Sequence, residues 1–235
     1  MFAGPNGSGK TTIKLGLQRP DAWFGIYINP DDLEREMRET GFLPLAAWGL
    51  TAETEELQAY FERSALLTAH ALQDQATLVE CRDSGIDCSR LPVNSYHASV
   101  IADFLRRKAL AAGRSFSFET VMSSPDKVNL LREAQREGFR TYLYFVATED
   151  PAINIARVKR RAAEGGHDVP EDKIISRYDR SLRLLPQAIR HSNRAFLFDT
   201  SEESSWYFAE CEDGTRIELK STEIPNWFRP IWEQF

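Results

Sequence analysis

Cysteine is scarce in this sequence. The three present, Cys81, Cys88 and Cys211, make no disulfide framework, and no second ligand pair stands at zinc spacing, so they read as ordinary thiols. No run of about 18 apolar residues occurs and no leader peptide is visible, so the expectation is a reducing, cytoplasmic setting with no membrane partner. A basic excess is missing too. The net charge is −6 and the pI near 5.4, which argues against a general nucleic-acid binder and leaves room only for a locally basic pocket. Internal repeats and low-complexity linkers are absent. With 235 residues and 42% hydrophobic content, the chain can bury the core of one large α/β domain spanning residues 1–235.

What is present begins at the first residues. Gly4-Pro5-Asn6-Gly7-Ser8-Gly9-Lys10-Thr11 satisfies every fixed position of G-x-x-x-x-G-K-[ST], the phosphate-binding P-loop. Its glycines let backbone N–H groups turn inward around a phosphate. Lys10 would reach the β- and γ-phosphates of a nucleotide, and the Thr11 hydroxyl would hold Mg²⁺. Thr12 onward would open a helix with its positive end toward the anion. Phe2-Ala3 stands where a strand should end. Met1-Phe2-Ala3 is short for a core strand, so either the strand is stunted or the natural chain starts upstream.

Gly25-Ile26-Tyr27-Ile28 reads as a buried parallel strand, broken by Asn29-Pro30-Asp31-Asp32 before a helix from Leu33. Asp31 and Asp32 then fall at the carboxyl edge of a sheet, where ligands bind in open α/β folds; one is expected to cap the helix and the other to face the site. Residues 41–95 read as an inserted, mainly helical elaboration. It holds an amphipathic helix over 53–72, a short strand at 77–80 and a loop over 83–96. A helix through Val100, Phe104 and Leu105 precedes the strand Ser115–Phe118. Glu119 and Thr120 follow at its carboxyl end. Tyr142–Val146 is the clearest central strand, and Ala195–Asp199 another. Between them Arg157, Lys159, Arg160 and Arg161 precede the loop Gly165-Gly166-His167-Asp168-Val169-Pro170 and a long helix with Arg177. Residues 157–177 therefore read as a lid over a nucleotide. Trp206–Glu210 and Arg216–Leu219, joined through Asp213-Gly214, predict a C-terminal β-hairpin.

These pieces, in this order, resemble the zeta toxin family of P-loop phosphotransferases. The match lies in Gly4 to Thr12, Ile28-Asn29-Pro30-Asp31, Phe116 to Thr120, Tyr144 to Thr148, and Arg157 through the double-glycine loop to Arg177-Tyr178. The resemblance implies a P-loop kinase-like parallel sheet flanked by helices. It implies transfer of the ATP γ-phosphate to a hydroxyl of a UDP-activated amino sugar, typically UDP-N-acetylglucosamine, by a toxin that can have a protein antitoxin. By motif position, Asp31 corresponds to the catalytic base and Glu119 to the acid that binds the sugar, with Thr120 and Arg177 beside the acceptor. Arg160 corresponds to a phosphate-contacting lid arginine, and Arg157 and Arg161 stand near the nucleotide. The 41–95 stretch departs from compact members of the family.

The same residues would serve a kinase of another small molecule, such as a nucleoside, a dinucleotide or an antibiotic. A nucleotide-dependent switch ranks third, because no strand ending in an apolar run plus Asp is obvious beside a water-positioning residue. Acceptor-stimulated ADP release separates the kinase readings from the switch.

Overall fold

The computed structural model describes residues 1–17, 21–166 and 168–235, and for Asp21 and Ala22 the backbone alone. His167, which belongs to the double-glycine loop singled out above, lies outside the described residues. In chain order the elements are β1 (Phe2–Ala3), α1 (Lys10–Gly16), α2 (Asp21–Phe24), β2 (Ile26–Tyr27), α3 (Pro30–Thr40), β3 (Phe42–Pro44), α4 (Thr54–Glu62), α5 (Ala65–Ala69), β4 (Glu80–Arg82), β5 (Gly85–Asp87), α6 (Ser95–Ala111), β6 (Phe116–Ser117) and β7 (Glu119–Thr120). They continue as α7 (Asp126–Arg136), β8 (Tyr142–Ala147), α8 (Pro151–Ala163), α9 (Glu171–Arg190), β9 (Arg194–Asp199), β10 (Trp206–Glu212), β11 (Arg216–Leu219) and α10 (Arg229–Trp232). Two compact units result, one formed by Met1–Arg19 with Glu119–Phe235, the other by Pro20–Phe118.

The first unit carries a six-stranded sheet in the order β11-β10-β9-β8-β1-β7. Strands β7, β1, β8 and β9 run parallel, while β10 and β11 are antiparallel. Strand β8 is an unbroken apolar run because a central parallel strand is covered on both faces, and Leu143, Phe145, Val146 and Ala147 are all fully buried. Strand β1 needs only two residues, since Phe2 and Ala3 pair with β7 on one side and β8 on the other. Helix α9 buries Ile174, Tyr178, Leu185 and Ile189, the stripe its periodicity foretells. The chain end packs Trp227 and Phe228 against Phe208, and the Trp227 indole donates to Asp199 at 2.7 Å. The α/β class, the parallel sheet and the C-terminal hairpin are those expected from the sequence.

The second unit contains a parallel pair, β2–β6, and a three-stranded antiparallel sheet, β3-β5-β4. Its core gathers Ile28, Leu33, Met37, Leu43, Leu57, Phe61, Ile101 and Phe104. Here the sequence reading needs correction. The stretch over 41–95 is not only helical: it holds the whole antiparallel sheet, including β5 where a loop was expected. Strands of three residues are too short to establish an alternating pattern. The helix expected over 53–72 stops at Arg63 and restarts after Ser64, whose hydroxyl accepts from the Leu67 amide at 3.3 Å and caps α5. The strand expected at 77–80 begins only at Glu80, after a 3₁₀ turn over Gln73–Leu78.

Candidate functional site

The loop between β1 and α1 is shaped by packing that tolerates no side chain at two points. Gly4 adopts φ +143°, and a Cβ there would fall 1.9 Å from the Val146 carbonyl oxygen of β8. Gly7 adopts φ +73°, with the Asn154 carbonyl oxygen of α8 at 2.7 Å from such a Cβ. The first two glycines of the motif are thus demanded by neighbouring strand and helix backbone as well as by the turn itself. Helix α1 begins at Lys10, two residues earlier than expected, after Gly9 in the left-handed region. The Lys10 ammonium folds back over the loop and donates to the Gly4 and Pro5 carbonyls, each at 2.9 Å. Thr11 and Thr12 are exposed on the first turn.

Glu119 sits inside β7, not just past a strand end. It is opposite Phe2 in parallel register, and its carboxylate accepts from the Thr11 hydroxyl at 3.0 Å. Thr120 pairs with Ala3, and its carbonyl takes the Gly4 amide at 3.2 Å. The Thr120 hydroxyl accepts from the Met122 amide at 2.9 Å, tying the turn that follows. Two hard oxygen groups, the Thr11 hydroxyl and the Glu119 carboxylate, therefore meet at the mouth of the loop, and both suit Mg²⁺ chemically.

A polar network joins the loop to α8 and α9. Buried Asn154 donates to the Asn6 carbonyl at 2.6 Å and accepts from the Thr148 hydroxyl. Tyr178 of α9 donates to the Thr148 carbonyl at 2.5 Å, and burial, with the Glu149 and Asp199 carboxylates, raises its phenol well above the usual range. Arg177 reaches the Asn6 side chain at 3.5 Å. On the other flank the Thr200 hydroxyl donates to the Ser8 carbonyl at 2.8 Å, and Arg157 donates to the Thr200 carbonyl at 2.6 Å. Arg160 and Arg161 are exposed on the last turn of α8.

Asp31 lies in the second unit, exposed in the first turn of α3. Neither aspartate caps that helix: Asn29 does, accepting from the Asp31 amide at 3.1 Å, while Asp32 binds Asn29 and pairs with Arg35. Strands β2 and β6 form their own pair, so Asp31 and Glu119 are attached to different sheets. Sequence reasoning missed Asn154, Thr148 and Thr200. A signal existed for Asn154: it stands one turn before Val158 on the buried face of α8, where an amide needs a partner. Thr200 carried none.

Residues 93–205 match the family model described as Zeta toxin, a segment that includes Glu119, α8 and β9 and leaves the P-loop outside. The resemblance drawn from the sequence is borne out over that segment. An uncharacterized protein of Haemophilus influenzae is 26% identical over 97 residues, covering 41% of this chain and 62% of its own. Among solved structures, AvrRxo1-ORF1:AvrRxo1-ORF2 with sulphate ions aligns at TM-score 0.51 and 16% identity, over 99% of this chain and 62% of the other. The complex with ATP aligns at 0.50 and 14% identity, with the same coverage. The chain thus spans about three fifths of the length of these relatives. At these identities the structural likeness is one of fold. No helix among the described residues is long and apolar enough to cross a membrane.

Proposed function

We propose that this zeta-toxin-like P-loop chain is a kinase that transfers the γ-phosphate of ATP to a hydroxyl of a UDP-activated amino sugar, such as UDP-N-acetylglucosamine, in the cytoplasm. The observation that carries the reading is the formed P-loop with Glu119 on the Thr11 hydroxyl. ATP is favoured because its phosphates suit the loop, and a protein of like fold has been solved with it. The acceptor rests on the family resemblance, as does a protein antitoxin.

Such a reaction asks the protein for positioning and charge compensation more than for covalent chemistry. Lys10 would leave the Gly4 and Pro5 carbonyls for the β- and γ-phosphates. Thr11 would hold Mg²⁺, and Glu119, which accepts from its hydroxyl, would serve the metal or take an acceptor group. The metal, when bound, neutralises charge on the phosphate oxygens. Asp31 would take the proton of the attacking hydroxyl, and Arg160 would offset charge on the phosphoryl group in transit. The test is a panel of UDP-sugars and nucleosides incubated with ATP and Mg²⁺, with mass detection of product. A phosphorylated UDP-sugar is the expected result. Exclusive phosphorylation of a nucleoside would overturn the acceptor, and ATP turnover indifferent to every acceptor would overturn the kinase.

A further inference from the structure

Two residues one helical turn apart on α8 hold the P-loop by its carbonyls. Asn154, fully buried, donates directly to the Asn6 carbonyl. Arg157, three residues on and so on the same helix face, grips the Thr200 carbonyl, and the Thr200 hydroxyl donates to the Ser8 carbonyl. Both anchors are themselves braced. Thr148 and, behind it, Tyr178 hold the Asn154 amide. The Thr200 amide is tied to the Ala147 carbonyl at 2.9 Å.

Peptide planarity gives these contacts a consequence. In a trans peptide the C=O of one residue and the N–H of the next point in opposite directions. Drawing the Asn6 carbonyl toward Asn154 turns the Gly7 N–H away from it. Drawing the Ser8 carbonyl toward Thr200 does the same to the Gly9 N–H. Successive inward N–H groups make an anion-binding nest. We propose that Asn154 and Arg157 are positioning residues of the P-loop: they fix the Asn6 and Ser8 carbonyls outward, Arg157 through Thr200, and so aim the Gly7 and Gly9 amides at the phosphates. Arg157 then acts behind the loop, not as a phosphate ligand. The nucleotide part of this inference rests on the proposed function; the shape of the loop does not.

The experiment has two arms. In ligand-free protein, amide hydrogen exchange over residues 4–17 reports the loop itself. Thr200→Val, nearly isosteric, and Asn154→Ala should both speed that exchange, and Thr200→Ser should restore the parent rate. In the second arm a fluorescent ATP analogue is titrated well below the melting temperature. Both disruptive variants should bind at least about fivefold more weakly, the effect of one lost hydrogen bond. Arg157→Ala should weaken binding about as much as Thr200→Val, and the double variant no more than either alone. Additive losses would make Arg157 a direct phosphate ligand and overturn its half. Unchanged exchange in folded Thr200→Val overturns the whole, and that variant carries the test if Asn154→Ala fails to fold. Faster exchange in a protein whose parent form binds no nucleotide would support the positioning role and sink the kinase reading.

Discussion

Lys10 spends its ammonium on two carbonyls of its own loop, contacts that a polyphosphate would replace with stronger, charge-assisted ones. Lys10→Ala should therefore fold as the parent does and lose ATP-dependent phosphorylation, with nucleotide binding weakened about tenfold or more; circular dichroism and a binding titration check both halves. Gly7→Ala meets a harder obstacle. A Cβ at φ +73° costs about 1–2 kcal/mol in backbone strain alone, and it would also press on the Asn154 carbonyl. Chemical denaturation should find that variant destabilised by at least this much. Glu119 is the residue whose contact changes its interpretation most. The resemblance gives it to the acceptor, yet one of its partners is the hydroxyl expected to bind the metal. Acceptor and Mn²⁺ affinities of Glu119→Gln, measured separately, decide: weakened acceptor binding keeps the family role, and weakened metal binding at unchanged acceptor affinity removes it.

Among the elements, those of the parallel sheet were the most legible. The apolar runs of β8 and β9 can bury themselves in few ways, and the turn at Asp213-Gly214 announces the hairpin. The P-loop was legible because its residue types are fixed by backbone geometry and phosphate chemistry together. The three-stranded sheet of the second unit was not, since strands of three residues carry no period and their pairing is set by contacts distant in sequence. The polar clamp on the loop was hidden for a related reason: Thr148 and Thr200 acquire meaning only from groups across space, and the position of Asn154 signals a buried amide without naming its partner. Helix α6 of the second unit contributes a further consequence. Its His97 ring is fully buried and stacked on Phe61 at 6.1 Å, and burial pushes its pKa down, with the Pro92 carbonyl opposing. The native state then binds fewer protons than the unfolded chain between the lowered native value and the ordinary one of about 6.5. Stability is present above that range and is lost as pH falls through it. Urea unfolding at pH 7.5 and 5.5 should show the decline, and His97→Leu should flatten it; a parent slope in the variant would assign the effect elsewhere.

For the whole molecule, the proposed activity requires that a nucleotide bind the folded chain. Binding of a nucleotide to the native state alone must stabilise it, by about 2.7 kcal/mol at a hundredfold excess over Kd. ATP with Mg²⁺ should accordingly raise the melting temperature of the parent, and that of Lys10→Ala by clearly less. Group transfer between two small molecules is seen most directly in phosphorus NMR of the protein with ATP, Mg²⁺ and UDP-N-acetylglucosamine. ADP should appear in step with a new phosphomonoester on the sugar nucleotide, and both should be abolished in Asp31→Asn. ADP accompanied only by inorganic phosphate, at a rate the sugar nucleotide does not change, would contradict it.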